Sequence, residues 1–124
     1  MALRSLIVDD NTHFLTAARD LLEREGVEVV GVASSGAEAL RLAGMLRPDV
    51  ALVDIDLGDE SGLDLARRLV GADGERSRVV LISAYSENDF ADLIAASPAV
   101  GFLSKAELSA AKIEEVLQMG QDRS

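Results

Sequence analysis

Five short runs rich in β-branched residues punctuate the chain at near-regular intervals: LRSLIV (3–8), VEVVGV (27–32), VALV (50–53), RVVLI (78–82) and AVGFL (99–103). Continuous apolar character, rather than strict alternation, marks strands covered on both faces. The segments between them have helical spacing. Five strands alternating with five helices imply right-handed crossovers, and therefore a parallel sheet held between two helix layers.

The helices carry their own start and stop signals. In NTHFLTAARDLLEREG, Phe14, Ala18, Leu21 and Leu22 are expected on one inward face, and Gly26 can close the end in a left-handed cap. Ser35 with Glu38 forms a capping box, and that helix must stop before Pro48. Ser61 with Asp64 opens LDLARRLV, and Ser86 with Asp89 opens FADLIAA, which Pro98 ends. The last helix is expected over SAAKIEEVLQMG, with Ile113, Val116 and Leu117 facing inward. RLVGADGERSR, punctuated by Gly71 and Gly74, reads as an exposed loop. One domain over 1–119 and a fraying polar tail over 120–124 complete the expected organisation.

A chain of 124 residues is long enough for one ordinary core. A formal net charge of -10 disfavours docking on nucleic acid or an anionic membrane, both of which reward Lys and Arg patches. The absence of cysteine rules out disulfides and thiolate metal sites. No apolar stretch approaches the ~20 residues of a membrane span, and the first residues, MALRSLIVDD, lack the apolar segment of a signal peptide. A cytoplasmic protein with protein or cation partners is expected.

In an open parallel sheet the functional crevice lies at the carboxyl ends of the strands. Strand one ends in Asp9 and Asp10, strand three in Asp54 and strand four in Ser83, while Lys105 closely follows strand five. Three carboxylates crowded at one edge repel each other and call for a cation. Oxygen donors without His or Cys suit Mg²⁺ or Mn²⁺. Lys105 is a compact donor for phosphate oxygens, and the Ser83 hydroxyl can donate to the same group. A carboxylate nucleophile, a metal, an ammonium and a hydroxyl together equip a site for phosphoryl transfer.

The motifs IVDDN, LVDIDLGDESGLDL, LISAY and GFLSK, in this order and spacing, resemble the receiver domain of two-component response regulators. The likeness runs to about Met119, and GFLSKAELS is most similar to receivers of the LuxR/NarL-like subclass, which precede a helix-turn-helix DNA-binding domain. The resemblance implies a flavodoxin-like, doubly wound sheet in the order 2-1-3-4-5. It implies that Asp54 is the phosphoacceptor for a sensor histidine kinase or phosphotransfer protein. Asp9, Asp10, Asp54 and the backbone carbonyl of Asp56 would hold Mg²⁺. Ser83 and Lys105 would meet the phosphoryl group, and Ser83 and Phe102 would be the moving parts of a switch in the face formed by helix four, strand five and helix five. Asp56 and Tyr85 would flank the phosphoryl group and set its lifetime. An output domain, a downstream protein or a second copy of the chain would read the switch.

The chain departs from the family pattern at three places. Gly58 and Asp59 replace the usual proline and glycine, so a looser, more acidic loop is expected there. Ala106 stands where many members have a proline in a cis bond, and Phe102 lacks the hydroxyl of the commoner tyrosine. His13, at the start of the first helix, reads as a solvated residue. Two other readings stand beside the leading one: a phosphorylation-independent interaction module of receiver fold, and a haloacid-dehalogenase-like phosphatase, suggested by the DID at 54–56. Both a free-standing receiver and one domain of a DNA-binding regulator fit the sequence.

Overall fold

The computed structural model describes residues 2–73, 78–85 and 90–122. In chain order the elements are β1 (Arg4–Val8), α1 (Thr12–Arg24), β2 (Glu28–Ala33), α2 (Gly36–Leu46) and β3 (Val50–Asp54). A two-strand hairpin follows, β4 (Asp56–Leu57) and β5 (Glu60–Ser61), then α3 (Gly62–Asp73) and β6 (Arg78–Ser83). α4 (Ala91–Ala95), β7 (Gly101–Ser104), a 3-10 turn at Lys105–Glu107 and α5 (Ala110–Asp122) complete the chain. The main sheet is parallel throughout, in the order β2-β1-β3-β6-β7. This is the expected 2-1-3-4-5 arrangement, with the hairpin strands taking the numbers 4 and 5.

Strand alternation divides the core in two. Leu6, Val8, Ala51, Val53, Val79 and Leu81 face Ala39 and Ala43 of α2 and Leu65, Ala66 and Leu69 of α3. Ile7, Val50, Leu52, Val80 and Ile82 face Leu15, Ala18 and Leu22 of α1 and Ile113 and Leu117 of α5. Burying each Leu, Ile or Val among them stabilises the fold by about 1.5–3 kcal/mol before the entropy of ordering is counted, so both layers contribute heavily. β1, β3 and β6 are continuous apolar runs because each is covered on both faces.

Most helix ends form as the sequence predicts. Gly26, at φ 91°, closes α1. The Ser35 hydroxyl accepts from the Glu38 N–H, while the Glu38 carboxylate accepts from the Ser34 N–H, one residue earlier than in a strict capping box. α2 stops at Arg47, which takes the left-handed conformation (φ 48°) just before Pro48. Ser61 caps α3 through the Asp64 N–H.

Several expectations need correction. The inward face of α1 is Leu15, Ala18 and Leu22; Phe14 is only half-buried and Leu21 is exposed. At 100° per residue, Phe14 and Leu21 lie one step off the centre of the buried stripe. The supposed loop at RLVGADGERSR begins inside α3, which runs through Gly71 to Asp73 because Leu69 continues the stripe of Leu65 into the core. Its later residues, 74–77, lie outside the described residues, as does the Ser86–Asp89 cap. α4 has Phe90 at its N-cap position, without a side-chain cap. α5 continues to Asp122, so the expected tail is helical past residue 119. The loop at Gly58 and Asp59 is the tip of the β4–β5 hairpin, closed by the Gly58 N–H donating to Asp56 Oδ1 at 3.0 Å, and is not loose. No cis peptide bond occurs among the described residues, Lys105–Ala106 included.

Candidate functional site

Asp9 follows β1, Asp54 ends β3, Ser83 ends β6 and Lys105 follows β7, so four adjacent strands deliver their last polar side chains to one cleft of ≈ 630 Å³. Asp10, Asn11, Asp56 and Tyr85 also line it. The parallel sheet makes this convergence unavoidable: every strand ends at the same edge. Asp9 is fully buried, with Oδ1 accepting the Asn11 N–H at 2.9 Å. Its Oδ2 lies 2.5 Å from Lys105 Nζ as an ion pair, without a directed hydrogen bond. Asp54 Oδ1 accepts the Asp56 N–H at 2.9 Å, and Asp54 Oδ2 lies 2.8 Å from the same ammonium.

Burial pushes the Asp54 carboxyl above its ordinary pKa. The hydrogen bonds from Lys105 and the Asp56 N–H and the Lys105 charge pull it down, and the nearby Asp9 charge pushes it up again. Burial works against the Lys105 ammonium, but its contacts with Asp54 and Asp9 outweigh that and leave its pKa raised.

Asp9, Asp10 and Asp54 each offer a carboxylate oxygen, all within 4.8 Å of one another. Asp10 is the exposed member, and the hairpin closes on it so tightly that a Cβ at Gly58 would stand 2.9 Å from Asp10 Oδ2. A hard oxygen set of three carboxylates fits Mg²⁺ or Mn²⁺.

The family model for the response regulator receiver domain matches residues 5–118. The chain belongs to the response regulator receiver family. It is 32% identical over 117 residues to the response regulator GacA of Pseudomonas aeruginosa, a match covering 94% of this chain and 52% of that protein. Among solved structures, a LuxR-family two-component response regulator from Aurantimonas sp. SI85-9A1 superposes with a TM-score of 0.83 at 25% identity, covering 98% of this chain and 87% of that one. A response regulator protein from Burkholderia pseudomallei, described with a phosphorylated aspartic acid, calcium ion and citrate, gives a TM-score of 0.79 at 30% identity over 94% of this chain and 66% of that one. The chain spans about half the length of the curated relatives it matches. No helix among the described residues is long and apolar enough to cross a membrane.

Within this receiver the expected site residues separate into two places. Asp9, Asp10, Asp54, Asp56, Ser83, Tyr85 and Lys105 share the cleft. Phe102 does not: it is half-buried on β7 and lines a separate groove of ≈ 290 Å³ beside α4 and α5. Ser83 is buried, and its hydroxyl accepts the Tyr85 N–H at 3.0 Å. The Tyr85 ring is 65% exposed and packs edge-on against Phe90, so solvent and α4 both compete for it. His13 is exposed and ligates nothing in the cleft.

Sequence reasoning missed three positioning residues. Glu60 reaches from the hairpin to α2, where both carboxylate oxygens accept the Gly36 N–H at 3.2 and 3.1 Å. Gly62 packs on the Asp54 carbonyl so closely that a Cβ there would stand 1.8 Å from the oxygen, and its N–H donates to Ile55 O at 2.8 Å. Asn11 caps α1 while its backbone N–H fixes Asp9. The signal for Asn11 was readable, since a cap residue directly follows the acids; the other two depend on distant backbone.

Proposed function

We propose that Asp54 of this receiver accepts a phosphoryl group from a sensor histidine kinase or phosphotransfer protein, and that phosphorylation switches the α4–β7–α5 face. The observation that carries this reading is the Asp54 carboxylate held at a strand end between the Lys105 ammonium and the Asp56 N–H, with Asp9 and Asp10 beside it. A carboxylate oxygen of Asp54 attacks phosphorus, the phosphorus–nitrogen bond of the phosphohistidine breaks, and the imidazole leaves with the electron pair. An acyl phosphate remains on Asp54. Lys105 and Ser83 meet the oxygens on which negative charge gathers, so positioning and charge neutralisation supply the rate. Asp9, Asp10, Asp54 and the Asp56 carbonyl would hold Mg²⁺ or Mn²⁺, which when bound neutralises phosphoryl charge. The similar response regulator protein from Burkholderia pseudomallei, described with a phosphorylated aspartic acid and a calcium ion, supports an acyl phosphate and a divalent cation in this reading.

Residues 1–119 act in this reading as the receiver unit of a cytoplasmic signalling switch whose only catalysis is its own phosphorylation and dephosphorylation. Because relatives such as GacA are about twice as long, an output domain is among the partners we propose, beside a downstream protein or a second copy of the chain. The acidic charge disfavours direct nucleic-acid and membrane binding by this unit. The phosphoryl group adds charge and acceptor oxygens that pull on Ser83 and Lys105, and this biases an element with two states. Ser83 pairs with Ser104 across β6 and β7, two residues from Phe102, so displacement at the cleft has a short path to the groove. NMR chemical-shift mapping tests the switch: shifts should extend from the cleft through Ser83 and Phe102 to α4 and α5, and shifts confined to the cleft would refute it.

A further inference from the structure

The site as described leaves one contact unexplained. Lys105 Nζ sits over the ring of Phe14, 4.4 Å from its centroid. Two sides of the ammonium face carboxylates, Asp9 at 2.5 Å and Asp54 at 2.8 Å, and the aromatic face forms a third wall. Only 17% of the Lys105 side chain is exposed, so the interaction operates with much of the water removed, where a cation over an aromatic ring is held most strongly.

Phe14 sits at the margin of the core, packed against the α1–α5 cluster rather than inside it. It lies off the buried stripe of α1 and is only half-buried, whereas Leu15, Ala18 and Leu22 fill the interior. It belongs to the same local unit as Asp9, because Asn11 both donates to Asp9 Oδ1 and accepts the Phe14 N–H at 3.2 Å. Lysine is a flexible four-carbon chain ending in a point charge, and two neighbouring carboxylates alone do not fix where that charge rests. The ring's attraction depends on neither carboxylate, so it persists when either one changes its partner or carries a new group.

We propose that Phe14 is a positioning residue whose ring face holds the Lys105 ammonium between Asp9 and Asp54, where it can meet the oxygens of an incoming phosphoryl group. This rests on the reading of Asp54 as phosphoacceptor. It differs from a packing role in depending on the electrostatic face of the ring rather than its volume. The phenol of Phe14→Tyr keeps that face, and Phe14→Leu removes it.

The test incorporates phenylalanines carrying one, two and three ring fluorines at position 14, which change little in size but progressively withdraw the negative face. Phosphorylation of Asp54 by acetyl phosphate with Mg²⁺ should slow stepwise along the series, by about threefold to tenfold in total, as for a partly desolvated cation–π contact. The thermal midpoint should stay near that of the unmodified protein, and Phe14→Tyr should react near the wild-type rate. In the unphosphorylated protein the Lys105 Hε resonances should be displaced upfield by the ring and return downfield in Phe14→Leu. Equal rates along the fluorine series, or Hε resonances unmoved by Phe14→Leu, would overturn the proposal. Because the resonance measurement needs no phosphoryl transfer, it separates failure of this positioning role from failure of Asp54 to be phosphorylated.

Discussion

Asp9 Oδ2, an oxygen shut off from solvent, lies 2.5 Å from the Lys105 ammonium. Lys105 is therefore a structural countercharge as well as the proposed phosphate partner, since it is the cation that meets both Asp9 and Asp54 among the described residues. Removing one partner of a buried pair costs more than the pair contributes, because the other charge is left uncompensated.

Lys105→Met should accordingly destabilise the metal-free protein by about 2–3 kcal/mol, somewhat less than for a fully buried pair because the lysine keeps some contact with water. Adding Asp9→Asn should recover much of the loss. Denaturant unfolding of the two single variants and the double variant measures this coupling, and additive losses would show that the two charges do not depend on each other.

The raised Asp54 carboxyl gives a pH signature with a definite sign. Between the ordinary carboxylate pKa and the higher folded-state value, the native protein binds more protons than the unfolded chain, so this group's contribution falls as pH rises through that window. Above that window the ionised Asp54 opposes folding. Asp54→Asn, measured with a chelator present, should melt higher than wild type at neutral pH, with the gain shrinking as pH falls below the ordinary carboxylate range. A gain independent of pH would mean that Asp54 ionisation is not its source.

Much of this was legible in the sequence, for physical reasons that differ by element. Strands such as 50–53 and 78–82 announced themselves because burial on both faces leaves an unbroken apolar run, and the sheet then places Asp9, Asp54, Ser83 and Lys105 together without further information. The β4–β5 hairpin was hidden because two-residue strands rich in acid carry no periodicity. The inward face of α1 holds the expected Ala18 and Leu22 but takes Leu15 in place of Phe14 and Leu21, because these residues are all apolar and only packing chooses among them. Gly71 looked like a terminator, yet one glycine costs a helix about 1 kcal/mol, which the buried Leu69 in the preceding turn offsets. Glu60 with Gly36, and Lys105 with Phe14, join residues far apart in the chain, and no local pattern encodes such pairs.

Tyr85 lines the cleft, and in the proposed reaction a water must reach phospho-Asp54 in line with the leaving oxygen. Tyr85→Ala should shorten the phosphoryl lifetime by about threefold to tenfold, equivalent to roughly 1 kcal/mol of barrier. Decay of radiolabelled protein after donor removal measures it. Equal rates would place the ring in its Phe90 contact, away from the path of the water.

The central claim is that Asp54 is the phosphoacceptor, and intact-mass spectrometry after incubation with acetyl phosphate tests it most directly. With Mg²⁺ the wild-type chain should gain a single phosphoryl group; Asp54→Asn, and wild type with the metal chelated, should gain none. Equal modification of wild type and Asp54→Asn, or an unmodified wild type with Mg²⁺ present, would contradict the account.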